Sequence, residues 1–212
     1  MSFGAPFPAA KSALEVTFLG HTTGNISGGP FNFGPPDARR ILIACFGFQT
    51  GGSPTISACS IGGVAATNLV NSGLSPGSRA AAICAALVPT GLSGNVVASG
   101  PTITSGRAAI YLYSLLNTTG IHTDVASSTA NNPSATKNIG ANNVAIGVAA
   151  AGGASSPSPS WSGLIEDAAD SFSLQTFTSA SEFFANAAAA HAMTCAMAGT
   201  AGSAGAFAVF SR

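Results

Sequence analysis

Short apolar or alternating runs follow one another along the chain, separated about every 8 to 12 residues by Gly, Pro, Asn or Ser. That rhythm predicts an all-β protein, an antiparallel β-sandwich of jelly-roll or immunoglobulin-like type. The strongest run, Arg40 to Phe48, is apolar without alternation after its first residue and predicts a central strand covered on both faces. Thr55 to Ile61 and Val64 to Val70 flank Gly62-Gly63 and predict a hairpin, because both glycines accept a positive φ. Further strands are predicted over Ser78 to Val88, Gly94 to Ser99, Arg107 to Leu116 and Asn143 to Ala151. A weaker one is predicted over His122 to Ser127, inside a polar connection from Asn117 to Ala141.

Gly152 to Ser160 reads as a loop unable to continue a ladder, and Glu166 to Asp170 as a possible helical turn. Ser181 to Met197 is ambiguous. Its alanines favour a helix, whereas a faint internal repeat favours a strand from about Ala189. In that repeat Ile41 to Phe48 aligns with Val144 to Ala150, and Ser60 to Gly63 with Ser160 to Gly163. Ala80 to Leu87 aligns with Ala190 to Met197, setting Cys84 against Cys195, and Ala109 to Ser114 aligns with Ala206 to Ser211. The expected organisation is an N-terminal arm and first strand over 1–37, then a sandwich over 38–212 with candidate repeat halves 38–116 and 143–211. Low complexity imitates such a repeat, so the alignment alone leaves a duplication open.

Composition narrows the function. Of 212 residues, only 7 are Lys or Arg and 7 Asp or Glu, and the net charge is zero. An ordinary soluble domain is about 25% charged. So few dispersed cations argue against nucleic acid as a partner, since phosphate contacts need Lys or Arg. No apolar stretch reaches 18 residues and the N-terminus lacks the features of a signal peptide, so no membrane partner and synthesis in a cytoplasm are expected. Cys45, Cys59, Cys84 and Cys195 each sit in an apolar run and read as small buried hydrophobes.

The candidate chemistry is sparse. Gly73-Leu-Ser-Pro-Gly77 imitates a nucleophile elbow, but Pro76 lacks the backbone N–H that would serve the oxyanion, so a turn between strands is expected. Glu166, Asp167 and Asp170 form an acidic cluster without calcium-loop spacing and read as a solvated face. His21, His122 and His191 have no second ligand nearby in sequence. No catalytic residue, metal site or cofactor is assigned. Trp161 follows a Ser/Pro loop and is either a buried strand residue or an exposed anchor. Phe3 and Phe7 lie on a Pro-rich arm. They either tuck under their own domain or dock on a neighbouring subunit.

The series Arg40 to Phe46, Ile56 to Thr67 (with Ile61-Gly-Gly-Val-Ala-Ala66) and Ala80 to Pro89 (leading into Val88-Pro-Thr-Gly91) resembles the small β-sandwich virion proteins of tailed bacteriophages. In these an I-G-G-x-x-A hairpin often precedes a strand ending in V-P-x-G. The resemblance covers about residues 38–116, with a fainter echo in 143–211. It implies a structural protein of the phage particle: a capsid decoration (cement) protein, or a tail or fibre component, without catalytic residues. The expected partners are its own copies, as a homotrimer, and other virion proteins such as the major capsid protein. A tail-fibre module that recognises a cell-surface glycan is the other reading.

Overall fold

A computed structural model of the protein describes residues 14–118, 120–121, 123–172 and 174–212. Phe3, Phe7 and His122 lie outside the described residues. All regular structure among them is β, in fifteen strands. The first nine are β1 (Glu15–Thr23), β2 (Gly28–Asn32), β3 (Ile41–Thr50), β4 (Ala58–Ile61), β5 (Val64–Ala65), β6 (Thr67–Asn71), β7 (Arg79–Leu87), β8 (Ser93–Ser99) and β9 (Ile103–Leu116). The remainder are β10 (Thr123–Ser128), β11 (Ser134–Ile139), β12 (Asn143–Ser162), β13 (Ile165–Phe172), β14 (Gln175–Phe184) and β15 (Ala188–Phe210).

The expected antiparallel sandwich is present, with more layers than two. Sheet A has the order β1-β9-β3-β7-β6, and the smaller sheet B the order β2-β8-β4-β5. Sheet C has the order β10-β15-β12-β14-β13, with β11 added along β15. Alternate residues of β3 explain the stacking. Ile41, Ile43 and Cys45 enter a core shared with Val144, Ile146, Val148 and Phe177 of sheet C. Leu42, Ala44, Phe46 and Phe48 enter another, shared with Phe31, Ile61 and Val96 of sheet B. β3, at the centre of sheet A, is thus buried on both sides, as its unbroken apolar run predicts.

Several expectations need correction. Gly152 to Ser160 does not end a strand. Pairing of β12 with β15 shifts register between Gly152 and Ser158 and then resumes from Ser158↔Ala198 to Ser162↔Thr194. The irregularity bends both strands, and their far ends fold back over the outer face of sheet C with β11 beside them. Pro157 and Pro159 are tolerated because this stretch of β12 pairs on one side only, with β15. Glu166 to Asp170 is not a helical turn but part of β13, and the Asn117 to Ala141 connection holds two strands, β10 and β11. Ser181 to Met197 contains no helix. From Ala188 on, its alanines form the first part of β15, which belongs to the folded-back layer, and Ala189, Ala190, Ala192 and Ala196 are exposed there. Residues 1–37 contribute both β1, an edge of sheet A, and β2, an edge of sheet B.

The Gly62-Gly63 hairpin forms as expected, with φ of 60° and 82° and Ile61 opposite Val64. Gly147 has a different task. A Cβ there would overlap the Trp161 ring and Leu164, so its bare backbone is the floor on which Trp161 rests. Trp161 also meets Phe207 edge-on, with ring centroids 6.2 Å apart.

Arg40 is 1% exposed, although it opens the most apolar strand. Its Nε donates to Val88 O at 2.9 Å. One terminal nitrogen donates to the carbonyls of Phe33, Gly34 and Pro35, and the other to those of Thr90 and Gly91. The guanidinium lies 5.7 Å from the centre of the Phe33 ring. Its planar fork of donors therefore replaces water for two loops at once. The Val88-Pro-Thr-Gly91 turn is shaped around it.

Two outcomes follow. Arg40→Lys offers three donors for these carbonyls and costs about 3 kcal/mol, read as a lowered urea midpoint with an unchanged slope. Gly147→Val pushes Trp161 from its seat. Stability falls by about 2 kcal/mol and emission of this single tryptophan moves to the red.

Candidate functional site

The densest group of polar side chains lies where the edges of sheets A and C meet. β1 supplies His21, β9 supplies Tyr111 and Tyr113, and the edge strand β13 supplies Asp167 and Asp170. Strand geometry explains the grouping: Tyr111 and Tyr113 are two apart and share the face turned to sheet C. A register shift in β13 between Glu166 and Ala168 brings Asp167 onto the side that Asp170 already occupies. Tyr113 Oη donates to Asp167 Oδ2 at 2.9 Å, and His21 Nε2 lies 3.1 Å from Asp170 Oδ1. The His21 and Tyr111 rings are 5.8 Å apart, and Phe18 leans on Tyr113 at 5.2 Å.

The electrostatics are those of a dry seam. Burial pushes the Tyr111 and Tyr113 hydroxyls well above the usual tyrosine range. The Asp170 charge adds to this for Tyr111, and the Asp167 charge adds to it for Tyr113. Burial also raises the Asp167 carboxyl, opposed by hydrogen bonds from Ser181 and Tyr113. Among the described residues, the Tyr111 hydroxyl, Asp170 Oδ2 and Ser179 Oγ are buried with no hydrogen-bond partner.

The acidic cluster is therefore a solvated face only in part: Glu166 is exposed, whereas Asp167 and Asp170 are half-buried. Asp167 and Asp170 tie sheet C to sheet A, while Glu166 reaches Thr178 Oγ1 at 3.3 Å. The Asp167 and Asp170 carboxylates, on one strand, are each engaged by a different residue of sheet A. Charge on β13 also blunts an exposed sheet edge. The sequence hinted at this seam only through the two-residue spacing of the tyrosines; the partnership of His21 with Asp170, 149 positions on, had no local signal.

Trp161 is half-buried, and its Nε1–H donates to Thr178 Oγ1 at 3.0 Å, so its polar edge is already engaged. Gly73 to Gly77 is a turn between β6 and β7, with Ser75 buried. His191 Nε2 sits 2.8 Å from Gly163 O, and its ring meets Phe184 edge-on. All four cysteines are buried and free, and burial raises the Cys195 thiol to about 12, away from reactive thiolate. Among the described residues no group of three or more His, Cys, Asp or Glu is placed to hold a metal ion. No helix among them is long and apolar enough to cross a membrane.

Two recesses lie elsewhere, and among the described residues that line them none is acidic. One of about 700 Å³ is an open cleft lined by Pro30, Phe31, Pro35, Pro36 and Leu92. Another of about 440 Å³ is lined by Ala38, Ile41, Leu87 and Ile121.

The outer faces of the stack are of a different kind. Sheet B contains no Lys, Arg, Asp or Glu in any strand, and its exposed side includes Ala58, Val64, Ala65 and Val97. At the opposite end, the folded-back layer exposes Ser134, Thr136, Ser158, Ser160, Ala192 and Ala196. Lys137 of β11 reaches Asp124 at 2.6 Å rather than standing on that face.

No family model, curated protein or solved structure matches the chain.

The sign for Asp167 is fixed by its raised carboxyl. The folded state binds this proton more tightly, so ionisation costs stability as pH rises through the raised value. Asp167→Asn keeps an acceptor for Tyr113. It is expected to melt higher than the parent at pH 7, and the advantage disappears below the ordinary carboxylate range, as thermal melts across pH 3 to 7 will show.

Proposed function

We propose that the protein is a non-enzymatic structural component of a bacteriophage particle, a capsid decoration or cement protein that acts through protein–protein contact. The observation that carries this reading is the pair of uncharged outer faces, one at each end of the stack. A protein that works free in solution gains from surface charge, whereas a zero net charge favours association. Flat faces of small side chains meet other protein without desolvating ions, the costly part of many contacts. The V-P-x-G turn held by Arg40 and the I-G-G-x-x-A hairpin, on which the resemblance to phage virion proteins rests, are both ordered and both border sheet B. The partners on this reading are its own copies, as a homotrimer, and the major capsid protein.

A glycan-recognising tail-fibre module draws less support. It needs an accessible aromatic platform, and the Trp161 ring is packed on Gly147 and Phe207.

The test is to place a charge on one outer face. Val97 is 53% exposed on β8, so Val97→Lys leaves the melting point within about 2 °C. The same change is expected to lower the amount of protein on purified particles at least about tenfold, as 1.4 kcal/mol of lost contact would. A parent protein that is a monodisperse monomer and is missing from purified particles would overturn the reading.

A further inference from the structure

The two large sheets share one topology. Taken in chain order, the five strands of sheet A (β1, β3, β6, β7, β9) lie across the sheet as first, fifth, second, fourth, third. The main strands of sheet C (β10, β12, β13, β14, β15) lie in that same order. The small layers follow suit. In sheet B, β8 lies between β2 and β4; in the folded-back layer, the first part of β15 lies between β11 and the last part of β12. Each small-layer segment also falls at the same point of the chain order, since β2 and β11 both precede the second large strand.

Register agrees as well as order. Ile41 is opposite Leu115 and Leu87, and Val144 is opposite Phe210 and Phe183. Ile41 and Val144 both face the A–C core. In the small layers Ile61 is opposite Val96 and Trp161 is opposite Cys195, each pair being followed by a turn glycine at positive φ, Gly63 or Gly163. Two unrelated sandwiches of a common type would share strand order; they have no reason to share facing residues at both ends of the stack.

Counting back along β7 and β14 from Leu87 and Phe183 makes Arg79 the counterpart of Gln175. These two residues touch: Arg79 Nε donates to Gln175 Oε1 at 2.8 Å, both buried. Counterparts that meet each other lie beside a twofold axis, the signature of a self-complementary interface. Each half also closes on itself, since Glu15 pairs with Leu116 and Thr123 with Phe210.

We propose that residues 14–118 and 123–212 are diverged copies of one sandwich unit, and that the surface between sheets A and C is the face by which such a unit takes a second copy of itself. The chain is then a dimer made continuous. Two of the four repeat correspondences read from the sequence agree with this register, and Ala109 to Ser114 with Ala206 to Ser211 joins the right strands but two residues out of it, since Leu115 on Phe210 sets Ala109 on Ala204. The fourth does not: Ala80 to Leu87 is β7 of a large sheet, whose counterpart is β14, whereas Ala190 to Met197 belongs to the folded-back layer. Cys84 and Cys195 are accordingly not counterparts.

Two experiments on the full chain test this. In a crystal structure, residues 15–116 are superposed on 123–210. The expected result is a rotation close to a half-turn that sets Ile41 on Val144, Ile61 on Trp161 and Leu115 on Phe210. A best fit that slips this register, or a rotation far from a half-turn, overturns the proposal. The second uses circular permutation with residues 1–13 bridging the old termini. A permutant opened between the units, starting at Gly120, is expected to melt within about 4 °C of the parent. One opened inside a unit, between Gly62 and Gly63, is expected to lose more. Equal loss in the two, or a larger loss in the first, counts against the proposal.

Discussion

The central strands of sheet A have no side turned to water, and most of the structure follows from that. A strand buried on both faces holds no unpaired charge, because desolvating an ion costs more than its neighbours return. From Ile41 to Gly106 the only charged residue is Arg79, and it is buried against Gln175. The remaining polar demands are met at the rim. Arg40 satisfies the loop carbonyls at one end of β3, and Tyr113 ends its aromatic body in Asp167 at the seam with sheet C. The scarcity of charge is thus a requirement of the layering in its own right.

Small side chains are the second consequence. Stacking sheet on sheet at close range leaves room for Ala and Gly over much of the interface, with a few large residues set where the facing backbone is bare. Phe177 against Gly47 and Trp161 against Gly147 are two such pairs. In both, the aromatic supplies the contact area and the glycine supplies the space.

Much of this was legible in the sequence. The unbroken run of β3 gave away a strand with two covered faces, and Gly62-Gly63 gave away a hairpin, because each depends on neighbours in the chain. The bend of β12 and β15 was not legible. Pro157 and Pro159 argue locally for a loop, and only the pairing with β15, some 40 residues away, shows that one side of that strand needs no donors. The polar seam was hidden for a similar reason, since its members come from three strands of two sheets. Asp167 and Asp170 read as solvated until β13 is placed beside β9. For Arg40 the clue was present in its position just ahead of an apolar strand, but a basic pair ordinarily reads as surface.

The long strand β15 spans two layers, which no strand of the first half does. In the first half, β8 and β9 are separate strands, broken at Gly100 to Thr102, whereas β15 runs through both layers of the second half without a break. A continuous backbone makes opening of the folded-back layer inseparable from strain on sheet C, while sheet B is joined to sheet A by loops that can yield. The two ends of the stack therefore differ in cooperativity: amide protons of sheet B exchange through local opening, and those of the opposite layer exchange only as the sheet beneath it gives way.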